Sequence, residues 1–349
     1  MAKLIFIKKL AWRTVGLLAI VVLILSVLIY KQLYTTNIVG VKDDKDFLFI
    51  PSGSDFEDLI SILENNKLLI NEKSFRWTSR QMKYDINVKP GKYRLKPRMN
   101  NKELVTLLRS GRQTPVNITF NNIRTKEQLA QKIGEQIEAK SQSILNLIND
   151  IDYSGNLGFT PDNILAMFIP NTYEFFWNTS GDKFLQRMKK EYDKYWTPQR
   201  LDLAHKINYT PIQVSVLASI VQLESNKEDE KPVIAGVYIN RLKKDWKLEA
   251  DPTIVYALGD FSISRVLNIY KEIDSPYNTY LYSGLPPGPI CLPTISSLNS
   301  VLNYIPHHFM FFCAKDDFSG YHAFATTYDQ HMLNARKFQK ALDRKGIHS

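Results

Sequence analysis

Thr14 to Tyr30 reads TVGLLAIVVLILSVLIY, seventeen residues without a charge, with Lys8, Lys9 and Arg13 before it and Lys31 after it. No other feature restricts the fold as tightly, because a run this apolar has to be buried in lipid or protein. Its length lies at the short end of the membrane-spanning range. A cleaved signal peptide and a buried core helix are the other readings. A signal peptide ends in a small-x-small site, whereas this run continues into Tyr30-Lys31-Gln32-Leu33-Tyr34. An uncleaved transmembrane anchor over 14–34 is therefore the expectation. Lys3, Lys8, Lys9 and Arg13 precede the run, and the flank after it is mixed (Lys31, Lys42, Asp43, Asp44, Lys45). The positive-inside rule then puts residues 1–13 in the cytoplasm and the rest of the chain outside.

The anchor changes the meaning of the charge. The 349 residues carry 45 Lys and Arg against 35 Asp and Glu, a net +10. Five of the basic residues and none of the acidic ones belong to the anchor, so 40 basic against 35 acidic residues leave +5 outside it. That surplus, spread over residues 35–349, is no nucleic-acid footprint, and no RNA-binding aromatic motif, zinc finger or Lys/Arg run accompanies it. A 44% hydrophobic and 12% aromatic content excludes a disordered or collagen-like chain. The two cysteines, Cys291 and Cys313, are too few for a disulfide scaffold or a Cys-rich metal site; they either pair or stay as buried thiols.

Past the anchor the pattern is α+β. A polar linker leads to a strand at 46–50, a turn at Pro51-Ser-Gly53, and a helix with Phe56, Leu59, Ile60 and Leu63 on one face, for which Ser54 and Glu57 have capping-box spacing. A helix around 72–83, a turn and strand at 89–95, and a helix capped by Asn100 and Glu103 and closed by Gly111 complete a small module over 46–113. It holds no cluster of catalytic residue types, so binding or positioning is its expected work. A strand at 116–120 and a helix capped by Thr125 and Gln128 follow, then a polar, turn-rich stretch at 141–165 that reads as a hinge or domain boundary. These divisions give a connecting segment over 114–160 and a mixed α+β domain over 161–349.

Pro211 to Glu224, PIQVSVLASIVQLE, is a Pro-initiated helix that is apolar on nearly every side, the mark of a buried central helix. A second helix is expected over 232–242, and Asp251-Pro252-Thr253 reads as an N-cap with Pro at N1. Glu224 ends the buried helix. Apolar neighbours and the negative end of the helix both disfavour its charged form, which makes it a proton donor near neutral pH. The other reading is a surface glutamate that opens the charged run 225–231, and spacing leaves both open. Glu228 and Glu230 fit a solvated face of that run. Tyr277, Asn278, Thr279 and Tyr280, followed by the Pro- and Gly-rich 283–290, combine a rigid loop with stacking faces and polar groups suited to sugars. His322 either lines a cleft or is a hydrogen-bonded structural histidine. The six histidines, at 205, 307, 308, 322, 331 and 348, have no metal-ligand spacing.

Several strings carry a resemblance. Ala218-Ser-Ile-Val-Gln-Leu-Glu224, Val237-Tyr-Ile-Asn-Arg-Leu242, Ala250-Asp-Pro-Thr-Ile-Val-Tyr256, Tyr277-Asn-Thr-Tyr280, Gly284-Leu-Pro-Pro-Gly-Pro-Ile290 and Tyr321-His-Ala-Phe324 are similar, in order and spacing, to the endolytic murein transglycosylases (MltG-type, YceG-like family). Phe168-Ile-Pro-Asn-Thr-Tyr173 resembles that family's FPDTY-type segment, and 46–113 resembles its LysM-like subdomain. The resemblance implies an enzyme of the cytoplasmic (inner) membrane whose catalytic domain faces the periplasm or exterior. It implies cleavage of nascent peptidoglycan strands between N-acetylmuramic acid and N-acetylglucosamine, which leaves 1,6-anhydromuramic ends and stops elongation. Glu224 is then the single catalytic acid/base, and by matching position Asn240, Asp251, Thr253, Tyr256, Tyr277, Asn278, Thr279, Tyr280 and His322 bind substrate or shape the cleft. No metal or cofactor is implied; glycan strands, penicillin-binding proteins and other wall-synthesis proteins are the implied partners. The chain departs from the pattern at Asn121-Asn122, where an acidic residue and glycine often occur, at Asn171 in place of Asp, and at Gln222 in place of Lys or Glu. Two rivals remain: a hydrolytic muramidase with Asp251 or Glu249 as second carboxylate, and a catalytically silent peptidoglycan-binding scaffold.

Overall fold

The computed structural model describes residues 2–42, 46–263 and 265–346. Asp43, Asp44 and Lys45 of the mixed flank, and His348, lie outside the described residues. Helix α1 runs over Ala2–Tyr34. Its Trp12–Tyr34 portion has 23 residues, and the most apolar window within it has a mean hydropathy of 2.4 and is not buried by the protein. At 1.5 Å per residue this portion is roughly 35 Å long, enough to cross a hydrocarbon core. The helix thus extends past the uncharged run at both ends. The residues after it are not a free linker. Asn37 and Ile38 donate their N–H groups to Met99 O at 3.1 and 3.0 Å, and Val39 N donates to Leu68 O at 2.9 Å.

The chain divides into two compact units, one of Met1–Val116 with Glu174–Thr179 and one of Asn117–Tyr173 with Ser180–Ser349. In the first, β1 (Phe47–Ile50) leads to α2 (Phe56–Asn65), α3 (Glu72–Gln81), β2 (Gly91–Arg94) and α4 (Asn101–Ser110). Strands β1 and β2 pair antiparallel, with Phe47 opposite Arg94 and Ile50 opposite Gly91. Leu48, Ile50, Leu59, Leu63, Phe75, Tyr93, Leu104 and Leu108 fill one core. The cap of α2 falls one residue later than its spacing suggests. Ser54 uses its N–H to close the Pro51 turn, and Asp55 and Asp58 form the reciprocal box at 2.9 and 3.0 Å. Such a cap is worth about 1 kcal/mol. At α4 the Asn100–Glu103 box and the left-handed Gly111, φ 68°, form where their spacing predicts.

The second unit begins with β3 (Val116–Thr119), then α5 (Lys126–Gly134), α6 (Ser141–Asn149) and α7 (Ile151–Asn156). The stretch 141–165, expected as a turn-rich hinge or domain boundary, holds two helices, because Ile144 and Ile148 bury a narrow apolar stripe within an otherwise polar segment. Strand β4 (Thr172–Phe175) pairs with β3. Next come α8 (Gly181–Tyr195), α9 (Pro198–Lys206), α10 (Pro211–Glu224), α11 (Lys231–Lys243), α12 (Asp251–Leu258), α13 (Ile295–Leu302), the antiparallel pair β5 (Phe311–Ala314) and β6 (His322–Ala325), and α14 (Tyr328–Arg344). Helix α10 starts at a Thr210–Gln213 capping box with Pro211 at N1, and Val214 through Val221 are all buried. It packs among α9, α11, α12 and α13, while α14 covers β5 and β6. The architecture is mixed helix and strand, with three two-stranded sheets among the described residues.

Candidate active site

Glu224 is the last residue of α10. The chain turns through 225–230 into α11, which brings Tyr238 over it: Tyr238 Oη donates to Glu224 Oε1 at 2.5 Å. Both line a cavity of about 300 Å³ together with Arg241, Glu249, Asp251 and Tyr280. Phe311 and Phe312 of β5, and Tyr328 and His331 of α14, complete its wall. Arg241, one turn after Tyr238, is fixed by two backbone carbonyls, with Nε donating to Met310 O at 2.8 Å and Nη1 to Leu248 O at 2.6 Å. Glu249 approaches the same guanidinium at 3.5 Å.

Burial pushes the Glu224 carboxyl from 4.5 to about 7. Tyr238's hydrogen bond opposes the rise, the charge of Asp251 adds to it, and the charge of Arg241 opposes it. Glu224 is therefore a carboxyl poised to give and take a proton near neutrality. Burial also holds the Tyr238 hydroxyl well above its usual range, so it stays a donor. Burial lowers His331, whose ring stacks on Phe311 and whose Nδ1 has no hydrogen-bond partner among the described residues.

Asp251 is not the N-cap of α12. Ala250 holds that position and Asp251 is the first helical residue, which leaves its carboxylate free to accept from Tyr280 Oη at 2.6 Å. Thr253 and Thr279 are buried and face each other at 2.9 Å, and Thr279 Oγ1 accepts the Ala250 N–H at 3.0 Å. They set the entry into α12 from beneath. Asn278 is buried and stitches its own loop, donating to Lys271 O and Ile273 O at 2.9 and 2.8 Å. Asn240 donates to His307 O and Phe309 O at 2.8 and 3.0 Å, which fixes the approach to β5. Tyr256 and Tyr277 pack ring to ring at 4.7 Å, outside the cavity wall.

His322 pairs with Glu230 rather than lining the cavity, with Nδ1 and Oε2 2.7 Å apart and the His322 N–H on Oε1 at 2.7 Å. Glu230, read as part of a solvated face, is instead buried, because the turn after α10 folds it back onto β6. Glu228 stays exposed but pairs with Lys231 Nζ at 2.6 Å. Of the residues singled out from sequence, Glu224, Asp251, Tyr280 and the rival carboxylate Glu249 meet in one cavity. Asn240, Thr253, Tyr256, Tyr277, Asn278, Thr279 and His322 lie outside its wall. Tyr238 and Arg241 gave no sequence signal beyond lying in the Val237–Leu242 string; Phe311, Phe312, Tyr328 and His331 gave none.

The Pro- and Gly-rich loop serves α10. Its Ile290 N–H donates to Ser219 Oγ at 3.0 Å, and Gln222 both donates to Leu292 O at 3.4 Å and accepts from Thr294 N at 2.5 Å. A lysine could not accept that second bond. Gly288 is required there, since a Cβ would meet Asp162 O at 1.9 Å. Asn122, standing where the family pattern has glycine, takes a left-handed φ of 52°, which asparagine tolerates. Cys291 and Cys313 are unpaired thiols, and burial pushes Cys291 up to about 12.

Residues 48–337 match the YceG-like family. The chain belongs to that family. It is 28% identical over 314 residues to a protein of Bacillus subtilis (strain 168) named endolytic murein transglycosylase, covering 85% of each chain. Against the protein of the same name from Streptococcus pneumoniae serotype 2 (strain D39 / NCTC 7466), it is 26% identical over 295 residues, covering 76% of this chain and 53% of that one. It thus spans about half the length of the pneumococcal relative. The crystal structure of a yceG-like protein of Listeria monocytogenes superposes with a TM-score of 0.56 at 28% identity, covering 84% of this chain and 99% of that chain.

Proposed function

We propose that this chain is a membrane-anchored endolytic murein transglycosylase, a lyase that cuts nascent glycan strands between N-acetylmuramic acid and N-acetylglucosamine. Family membership and the names of the relatives support the reaction class. The observation that carries the assignment to a residue is the carboxyl of Glu224, raised to about 7 and facing an open cavity. In its protonated form Glu224 donates to the glycosidic oxygen as that bond breaks. Its carboxylate then takes the proton of the muramic C6 hydroxyl, whose oxygen bonds to the anomeric carbon and closes the 1,6-anhydro ring. Water takes no part, so one carboxyl serves as acid and then base where ordinary glycosidases use two. Tyr238 orients the carboxyl and stabilises its charged form after proton transfer. Asp251, held by Tyr280, keeps the proton on Glu224 until substrate binds. Tyr280, Phe312 and Tyr328 offer stacking faces to sugar rings.

In the same proposal α1 anchors the protein in the cytoplasmic membrane with residues 1–13 inside, and 161–349 form the catalytic domain. The order β1, α2, α3, β2 supports a LysM-like subdomain over 46–113. Hydrolysis is the second reading, favoured by Glu249 and Asp251 lying in the same cavity as Glu224. Mass spectrometry of the ends released from glycan strands tests both: anhydro ends are expected, and reducing ends would replace the lyase with a muramidase. A silent scaffold releases no ends at all.

A further inference from the structure

A larger cavity, about 610 Å³, opens in the first compact unit against the end of α1. Arg94, Lys96, Arg98, Lys102 and Arg112 line it beside Tyr34, the last residue of α1. Among the described residues, no salt bridge joins any of these five cations to a carboxylate. The acidic residue in the wall, Glu103, is already engaged, accepting the Asn100 N–H at 2.9 Å in the cap of α4. Arg98 adopts a left-handed φ of 61°, a conformation a non-glycine residue takes at a cost. Gathering five like charges around one concavity is unfavourable unless an anion offsets it, and guanidinium forks with ammonium groups suit phosphate oxygens.

The position of the cavity narrows the anion. Lys102 Nζ donates to Tyr34 Oη at 2.6 Å, and Asn101 Nδ2 donates to Gln32 O in the last turn of α1 at 2.9 Å. The cavity is therefore held at a fixed height above the helix end. Tyr30 and Tyr34 stack at that end, ring centroids 4.9 Å apart, with Trp12 at the opposite end of the apolar portion. Aromatic residues flanking a span mark the two headgroup levels. With α1 in a bilayer, the five cations lie where lipid phosphates lie, whichever way the helix points. We propose that this cavity is a cradle for the phosphate of an anionic lipid headgroup. The proposal rests on α1 as a membrane anchor and is independent of the reaction at Glu224.

The test uses the full chain in nonionic detergent, equilibrated with equal amounts of phosphatidylglycerol and phosphatidylcholine, with retained lipids read by native mass spectrometry. Phosphatidylglycerol is expected to be preferred. Arg94→Gln/Lys96→Gln/Arg112→Gln is expected to lower that preference at least about tenfold, in keeping with the pull of a juxtamembrane cation on anionic lipid. Lys67→Gln/Lys73→Gln/Lys83→Gln removes the same charge from the same unit outside the cavity and is expected to leave the preference within about twofold. Arg112→Glu alone guards against misfolding of the triple variant, since among the described residues the side chain of Arg112 hydrogen-bonds only to Ser110 Oγ, at 3.3 Å. It is expected to lower the preference as well. Displacement of phosphatidylglycerol by millimolar inorganic phosphate assigns the cradle to phosphate from either source, and resistance to it assigns the cradle to the whole headgroup. Absence of any preference in the unmodified chain, or equal losses in the two triples, overturns the proposal. The lipid preference of the Glu224→Gln chain is expected to equal that of the unmodified chain, which keeps this result separate from that of the active site.

Discussion

Around Glu224, three carboxylates share about 300 Å³ with one guanidinium, whereas the cavity beside Tyr34 holds five cations and one carboxylate within about 610 Å³. In the first cavity each named charge has a specific partner: Tyr238 on Glu224, Tyr280 on Asp251, Arg241 near Glu249. Like charges and burial there act on a group that can lose its charge, so the strain is relieved by moving a proton. In the second the cations crowd one concavity with no salt bridge among the described residues, a surplus that a bound anion would offset. One arrangement suits proton transfer and the other suits recognition.

The contrast can be broken most sharply at Glu224. Glu224→Gln is expected to lower kcat/KM for glycan cleavage by about a thousandfold or more, the scale of a lost general acid and base, measured by release of strand ends. A loss under tenfold would leave the cavity without its proton donor. The same substitution tests whether burial strains the charge. With a carboxyl at about 7 folded and 4.5 unfolded, the protonated form adds stability that is full below pH 4.5, is lost between 4.5 and about 7, and stays lost above. Glu224→Gln escapes this loss, so thermal or denaturant unfolding at pH 8 is expected to find it more stable than the parent by up to ~3 kcal/mol, with no difference near pH 4.

Finer changes separate the contributions. Tyr238→Phe removes a bond that lowers Glu224, so the alkaline limb of the pH–rate profile is expected to move to higher pH, with a rate loss of about tenfold. Asp251→Asn removes a charge that raises Glu224, so that limb is expected to move the other way, by less than in Tyr238→Phe. If Asp251→Asn abolishes activity as fully as Glu224→Gln, two carboxylates act in the chemistry and hydrolysis becomes the better reading.

Much of this was readable from local pattern. The Asn100–Glu103 cap, the Thr125 cap and Pro211 at N1 are contacts within one turn, so a four-residue window contains them. The Ser54–Glu57 box and Asp251 as a cap each missed by one residue. At α2 adjacent polar residues compete for the cap and Asp55 makes the bond, whereas at α12 Ala250 holds the position without a side-chain cap and its N–H is taken by Thr279 Oγ1 from another loop. Glu230 and His322 are 92 positions apart. No spacing rule shows that a glutamate in a run of charges will end buried against a histidine. Tyr238 and Arg241 likewise looked like ordinary positions of an apolar helix until the turn after Glu224 folded α11 back over it.

The sequence by itself determined two segments apolar on nearly every side, 14–30 within α1 and α10, because composition fixes what a segment cannot leave in water. Length assigned them different surroundings: Trp12–Tyr34 has 23 residues and none of its apolar window is buried by protein, while α10 is shorter and enclosed by four helices. Only the tertiary structure decided what those helices carry at their ends. Glu224 needs Tyr238 and Asp251, and Tyr34 needs Lys102 and its neighbouring cations, all distant in the chain. A carboxyl's proton affinity and a cavity's charge are sums over everything nearby, and folding is what makes those groups near.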